Sequence, residues 1–193
     1  SAGHTNANYQ QIRDALDEGL CCFTHLYNAM TPITGREPGV VGAALEDESS
    51  YCGIIIDGHH IHNTTAKLAI ANKAQGKILL VTDAMATIGS KQDSFDLYGE
   101  TIYAIDGCCT NKDGKLAGSA LDMATAVRNC VKQLEIPLPE ALRMASLYPA
   151  EFLGVSDQYG LIKPGYRADL VLLNTEQVVQ KTWILGELCF SQQ

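Results

Sequence analysis

The chain has 193 residues, 46% of them hydrophobic, enough to bury a sizeable core and, by length, to form one domain or slightly more. A formal net charge of -8 repels polyanions on average, so neither nucleic acid nor an anionic membrane is expected as the main partner. Seven cysteines, an odd number with no C-x-x-C spacing in a chain of this size, fit a reducing cytoplasm better than a disulfide framework.

Taken in order, the chain opens on Gly3-His4, after which Asn6 is placed to cap a helix over residues 7–18, closed by Gly19. Residues 20–24 read as a buried strand. The stretch 25–38 holds two prolines, Gly35 and several polar groups and is expected to be a long loop, a setting that often carries function. A short helix follows over 40–45. A second strand over 51–56 ends at Asp57, and an alanine-rich helix over 63–75 is expected to close at Gly76. The third strand, 77–82, completes a strand and helix alternation typical of right-handed βαβ units with parallel strands.

That rhythm breaks after residue 93. Short β-favouring runs separated by Tyr98-Gly99, Asp106-Gly107 and Asp113-Gly114 predict an antiparallel meander between residues 94 and 118. Ala124, Val127, Val131 and Leu134 recur at helical spacing in 121–134, and Pro139 suits the first turn of a helix ending near Leu147. Residues 168–173, 178–185 and 187–190 read as strands of a small β-unit. The adjacent pairs Cys21-Cys22 and Cys108-Cys109 fall on predicted strands, where neighbours face opposite sides, so no ready disulfide is expected. No apolar run approaches the ~20 residues of a membrane span, and no signal core is visible at the N-terminus.

Reactive side chains recur where the apolar runs stop: His4, His25, the run Asp57-Gly58-His59-His60, and Asp83 in Val81-Thr82-Asp83-Ala84. In a parallel α/β barrel such strand ends converge on one mouth. Neutral imidazole binds zinc or iron, so His4 and His25 are candidate ligands of a divalent metal; a hydrogen-bonded structural histidine is the alternative for each. Asp83 can act as a base toward water and as an acid toward a leaving amine, or it can simply cap a turn. His60 can orient a substrate carbonyl or phosphate, or belong with His59 and His62 to a solvated loop. Arg36, in a turn, can hold phosphate or pair with Glu37. Leu116, Ala117, Gly118 and Ser119 precede a helix, where amides and the hydroxyl can meet substrate oxygens or cap that helix. The pattern suggests a metal-assisted hydrolase.

Gly3-His4-Thr5-Asn6-Ala7, Thr24-His25-Leu26-Tyr27-Asn28-Ala29-Met30, Thr34-Gly35-Arg36-Glu37-Pro38-Gly39, the 57–60 run and Val81-Thr82-Asp83-Ala84 closely resemble the bacterial N-acetylglucosamine-6-phosphate deacetylase family of the amidohydrolase superfamily. Leu147-Tyr148-Pro149-Ala150 and Gly160-Leu161-Ile162-Lys163-Pro164-Gly165 agree with the family's closing segments, so the resemblance covers essentially the whole chain. It implies an α/β fold, the C-terminal half of a TIM-type (β/α)8 metallo-dependent hydrolase barrel. Residues 1–153 would be the partial barrel with the meander inserted, and 154–193 the C-terminal strands of a small β-sandwich domain.

The implied reaction, in amino-sugar catabolism, converts N-acetylglucosamine 6-phosphate to glucosamine 6-phosphate and acetate. By that analogy His4 and His25 hold a divalent metal, zinc first, with iron or another first-row metal as alternatives. Asp83 is the base and acid, and His60 holds the polarised carbonyl. Asn28, Ala29 and Arg36 contact the sugar phosphate, Arg36 from across a dimer interface, while residues 57–60 and 116–119 line the sugar site. The family pattern includes earlier strands and a metal-binding glutamate that precede the matched segment. The chain is therefore expected to be the C-terminal part of such an enzyme, to associate as a homo-oligomer or with the missing N-terminal half, and to show little or no deacetylase activity by itself. Another amidohydrolase-type C–N hydrolase and a non-catalytic sugar-phosphate-binding or assembly unit are the alternative readings.

Overall fold

Three apolar runs become short parallel strands in a computed structural model that describes residues 1–105 and 107–192. These strands, β1 (Cys22–Phe23), β2 (Tyr51–Ile54) and β3 (Ile78–Leu80), lie in that order, with Cys22 opposite Tyr51 and Cys52 opposite Ile78. Ala2 continues the sheet beyond β1 through a parallel bridge to Phe23, its amide donating to the Cys22 carbonyl at 2.8 Å. On the far side Ala84, just past β3, forms a parallel bridge to Ser119. The ends of these segments carry His4, His25, the 57–60 loop and Asp83.

Helix α1 (Tyr9–Asp17) starts two residues later than Asn6 would place it. Asn8 is the cap, because Gln11 stands three residues on and completes a reciprocal pair: the Gln11 amide donates to Asn8 Oδ1 at 2.9 Å and the Asn8 amide to Gln11 Oε1 at 3.0 Å. Helix α2 (Gly39–Glu46) covers the expected short helix. Helix α3 (Asn63–Asn72) stops three residues before its expected end, because Lys73 turns to extended backbone and sends its side chain inward. The Lys73 ammonium donates to Ala44 O at 2.6 Å, to Ser50 Oγ at 3.1 Å and to Asp47 O, so a 5% exposed lysine closes the C-terminus of α2. Desolvation lowers its pKa from the usual lysine value.

The meander forms as expected: β4 (Ser94–Leu97), β5 (Glu100–Ile105), β6 (Cys108–Thr110) and β7 (Leu116–Ser119) are antiparallel neighbours in chain order. Tyr98 and Gly99 both have positive φ, 50° and 85°, the signature of a tight hairpin turn. Of the expected Asp106-Gly107 turn, Asp106 lies outside the described residues. Helix α4 (Met123–Leu134) is capped by Asp122. The single helix expected next is two, α5 (Leu138–Ala145) and α6 (Leu147–Phe152), broken at Ser146. Pro149 accounts for the break: its ring cannot follow four residues of continuous helix without meeting a carbonyl, but it fits a new first turn.

Strands β8 (Leu170–Leu173), β9 (Val179–Ile184) and β10 (Glu187–Ser191) form a separate antiparallel sheet in the order β10-β9-β8. The main core lies between the parallel sheet and the helices, where Phe23, Leu26, Val40, Ile54, Ile55 and Cys130 are fully buried. Each large apolar side chain there contributes about 1.5–3 kcal/mol relative to exposure. All seven cysteines are free, and Cys22 and Cys109 are buried while their neighbours Cys21 and Cys108 are exposed or half-buried, as alternation predicts. Among the described residues no helix is long and apolar enough to cross a membrane.

Candidate functional site

His4 and His25 leave adjacent parallel segments side by side, their ring centroids 4.9 Å apart and their planes inclined at 53°. His25 Nδ1 is buried and has no hydrogen-bond partner. A buried polar atom left so costs about 1–3 kcal/mol, which argues against a purely structural imidazole at this position. The backbone beneath it is unusual as well: His25, Tyr27 and Ala29 have positive φ of 32°, 79° and 51°, and Asp83 has 51°. Non-glycine residues in this region are held at a cost by their surroundings and gather at functional sites.

The turn is braced. The Asn28 side-chain amide donates to the carbonyls of His25 at 3.2 Å and Leu26 at 3.3 Å, and the Leu26 amide donates to Gly53 O of β2 at 2.8 Å. Ala29 accepts from the Thr5 amide at 3.0 Å, which fastens the loop to the His4 segment.

Beyond β2, Asp57 and His60 form a pair with Nδ1 and Oδ2 at 2.6 Å, their side chains only 3% and 4% exposed. Asp57 Oδ1 also accepts the amides of His59 and His60, each at 2.9 Å. Burial alone would raise the Asp57 pKa, but the His60 ring and the two amides outweigh it and hold the carboxyl below its usual value. Nδ1 is bound to Asp57, so the ring of His60, which lines the cavity at the strand ends, is held in a fixed orientation with Nε2 as its remaining ring nitrogen. From behind, the Asn129 side chain on α4 donates to Ile56 O at 2.8 Å and supports the start of this loop.

Asp83 is exposed, and its carbonyl accepts the Ser119 amide of β7 at 2.8 Å, bringing the meander over the strand ends. A cavity of about 460 Å³ results, lined on one side by His4, His25, Asn28, Ala29, His60 and Asp83, and on the other by Leu97, Lys115, Leu116, Ala117 and Gly118. A larger cavity, about 660 Å³, lies between α2 and α3, but its walls hold Tyr27, Ile33, Leu45 and Leu68 and no histidine. The smaller one is the candidate site, since three histidines and a carboxylate converge on it, whereas the titratable groups of the larger are Tyr27, Glu46, Glu48 and Lys73.

Most of the expected residues thus meet, and several do not. Asp57 stands behind His60 rather than in the wall, Gly58 and His59 are exposed, and the buried Ser119 hydroxyl is engaged internally, donating to Thr82 O and accepting the Leu121 amide at 3.0 Å. Arg36 is exposed on the loop before α2 and lies outside the wall. Its neighbour Glu37 instead accepts the amides of Tyr9 at 2.8 Å and Gly39 at 2.9 Å. Leu97, Lys115 and Asn129 were not expected; only the return of the meander and the reach of α4 bring them to the site.

Two imidazoles, one with an orphaned nitrogen, fit two ligands of a divalent metal. Among the described residues no group of three or more His, Cys, Asp or Glu side chains is arranged to hold one.

The model of the amidohydrolase family matches residues 1–189. An N-acetylgalactosamine-6-phosphate deacetylase of Shewanella sp. (strain ANA-3) is 42% identical over 193 residues, all of this chain and 49% of the relative. The crystal structure of N-acetylglucosamine-6-phosphate deacetylase from Pasteurella multocida superimposes with a TM-score of 0.93 at 41% identity, over 97% of this chain and 49% of that one. A D267A mutant of N-acetyl-D-glucosamine-6-phosphate deacetylase from Mycobacterium smegmatis, solved in complex with N-acetyl-D-glucosamine-6-phosphate, gives a TM-score of 0.89 at 34% identity, over 96% of this chain and 50% of that one. The chain therefore spans about half the length of the relatives it matches.

Proposed function

The chain belongs to the amidohydrolase family, and from that premise we propose that it supplies the catalytic carboxylate and two metal ligands of a metal-dependent deacetylase acting on N-acetylhexosamine 6-phosphates. One observation carries the reading: His25, whose buried Nδ1 has no partner, lies beside His4, and both line the same cavity as His60 and Asp83. His4 and His25 would hold a divalent metal, zinc first, which when bound would supply Lewis-acid polarisation of the amide carbonyl and activation of water.

The chain's own groups do the rest. Asp83 takes a proton from the attacking water and returns it to the leaving amine nitrogen. His60, its Nδ1 fixed on Asp57, turns Nε2 toward the carbonyl oxygen. Asn28, Ala29 and the backbone of 116–118 frame the sugar. Arg36, outside this cavity, is assigned to the site of a second copy, and the chain to a homo-oligomer. Residues 1–153 are read as the C-terminal half of a (β/α)8 barrel carrying the meander, and 154–193 as part of a small β-sandwich. Free cysteines throughout suit the cytoplasm.

A second reading is favoured for the chain alone. With no third ligand grouped with the two imidazoles among the described residues, it would hold metal weakly and bind a sugar phosphate without hydrolysing it. Zinc at a hundredfold excess over its dissociation constant should stabilise the native chain by about 2.7 kcal/mol, and His4→Ala or His25→Ala should remove that gain in a thermal melt. Mixing the chain with the N-terminal half of the Pasteurella relative should restore acetate release from N-acetylglucosamine 6-phosphate or its galactosamine counterpart. Asp83→Asn should reduce the restored rate at least ~100-fold. A restored rate indifferent to Asp83→Asn would remove that carboxylate from the mechanism.

A further inference from the structure

A carbonyl that leaves a sheet while its chain is still buried needs a donor from elsewhere. The carbonyl of Ile54, the last residue of β2, accepts the Val81 amide at 3.1 Å, yet the chain stays closed to water through Ile55 and Ile56, 0% and 1% exposed. Ile56 O therefore lies past the ladder without having reached solvent. Among the described residues its one donor is the side-chain amide of Asn129 on α4, 73 residues on in sequence, at 2.8 Å.

That amide is engaged at both ends. Its Oδ1 accepts Gln133 Nε2 at 3.1 Å, which leaves Nδ2 for Ile56 O; the reverse orientation would set oxygen against oxygen. Asn129 itself is half-buried and stands beside the buried stripe of Ala126, Val127, Cys130 and Leu134 rather than in it.

Ile56 leads directly into the turn that holds His60. Both oxygens of Asp57 are engaged within that turn, Oδ1 by the amides of His59 and His60 and Oδ2 by His60 Nδ1. The far end is fixed as well, since Ile61 is buried and His62 caps α3, its Nδ1 accepting the Thr64 amide at 3.2 Å. Without its donor the Ile56 carbonyl would be unpaired and buried, a state relieved by rotating the peptide between Ile56 and Asp57 toward water. With the far end held, such a rotation is absorbed between residues 57 and 60, in the Asp57–His60 pair.

We propose that Asn129 is a positioning residue for His60: by fixing Ile56 O it fixes the backbone from which Asp57 holds the His60 ring, and so sets how that ring faces the cavity. The use of that orientation on a substrate carbonyl rests on the deacetylase reading, whereas the positioning can be measured without it.

The test is ring-nitrogen NMR of the 193-residue chain, labelled at histidine, at about pH 8, where an ordinary imidazole is neutral. Wild-type His60 should show one tautomer, with the proton on Nδ1. Asn129→Ala, and Asn129→Asp, which has the same shape but no N–H to give, should shift His60 toward the mixed tautomers of an unheld ring. Standing outside the apolar stripe, Asn129 can be replaced without opening the core, so both variants should keep the wild-type circular dichroism; Asn129→Ser is the milder variant read the same way should either fail to fold. Val127→Ala removes core packing from the same helix without touching Ile56 and should lower the melting temperature while leaving His60 as in wild type. An unchanged His60 in the folded Asn129 variants, an equal change in Val127→Ala, or a wild-type ring without the Nδ1 proton would each overturn the proposal. In the mixture with the N-terminal half of the Pasteurella relative, Asn129→Ala should lower kcat about tenfold and leave KM within about twofold. A displaced His60 with an undiminished restored rate would uphold the positioning and count against the carbonyl role of His60 in the deacetylase reading alone.

Discussion

Asp57 shows how one side chain links stability to site geometry. Its carboxyl is drawn below the usual 3.8 by the His60 ring and by two backbone amides acting against its own burial. A depressed folded-state value means that the native protein holds fewer protons than the unfolded chain in that interval. The resulting stabilisation is complete above about 3.8 and is lost as pH falls through the folded value. Asp47, pulled down to about 2 against its burial by the Ser50 amide, the Ser50 and Ser49 hydroxyls and Lys73, acts in the same direction. Asp57→Asn should therefore shallow the loss of urea stability between pH ~5 and ~2 without abolishing it, and adding Asp47→Asn should shallow it further. An acid limb identical to wild type in the double variant would contradict this assignment. At this scale the sequence is legible where chemistry coincides with chain direction: His4, His25, His60 and Asp83 each follow an apolar run, and parallel strands bring such ends together. The left-handed backbone at His25, Tyr27, Ala29 and Asp83 is not legible, since no glycine marks it and only the packed surroundings enforce it.

The element that completes the site is β7, and its register depends on one glycine. Gly118 has φ of 105°, and an added Cβ would come within 2.5 Å of Met85 Cγ and 3.0 Å of the Asp83 carbonyl. Methionine can yield, but the backbone carbonyl and the positive φ cannot both be relieved without moving the β7 contact to Asp83. Gly118→Ala should lower stability by about 1–3 kcal/mol in urea titration, and should also enlarge or reshape the cavity enough to weaken glucosamine 6-phosphate binding. A fully stable variant with unchanged binding would show that β7 does not set the position of Asp83. The meander itself is readable, because its turn residues recur at hairpin spacing. The destination of its last strand is not, since the Ala84 to Ser119 bridge joins segments 35 residues apart in sequence. The same distinction explains the helix ends: Asn8 and Gln11 are a local signal, whereas the early stop of α3 depends on Lys73 reaching the distant carbonyls of α2.

Across the whole molecule, burial is divided unequally. Phe23 and Ile54 in the parallel sheet are fully buried, whereas Val171, Leu185, Leu188 and Phe190 in or beside the β8–β10 sheet are 56%, 66%, 54% and 49% exposed. That sheet is joined to α4 by an Arg128 donation to Gln177 O at 2.9 Å and an exposed Lys132–Glu176 pair at 3.2 Å, contacts worth little beside a buried core. Local opening should therefore begin at β8–β10, while β1–β3 exchange only through larger unfolding. Exposed apolar area of this kind also favours association, and association protects whatever it covers in proportion to protein concentration. In native-state hydrogen exchange the amides of β9 should become more protected as protein concentration rises tenfold, and those of β2 should not. Protection of β9 equal to that of β2 and independent of concentration would mean that the sheet is stable as it stands. The contact of the proposed homo-oligomer would then be sought at the loop carrying Arg36 instead, where the guanidinium, rather than apolar surface, is exposed.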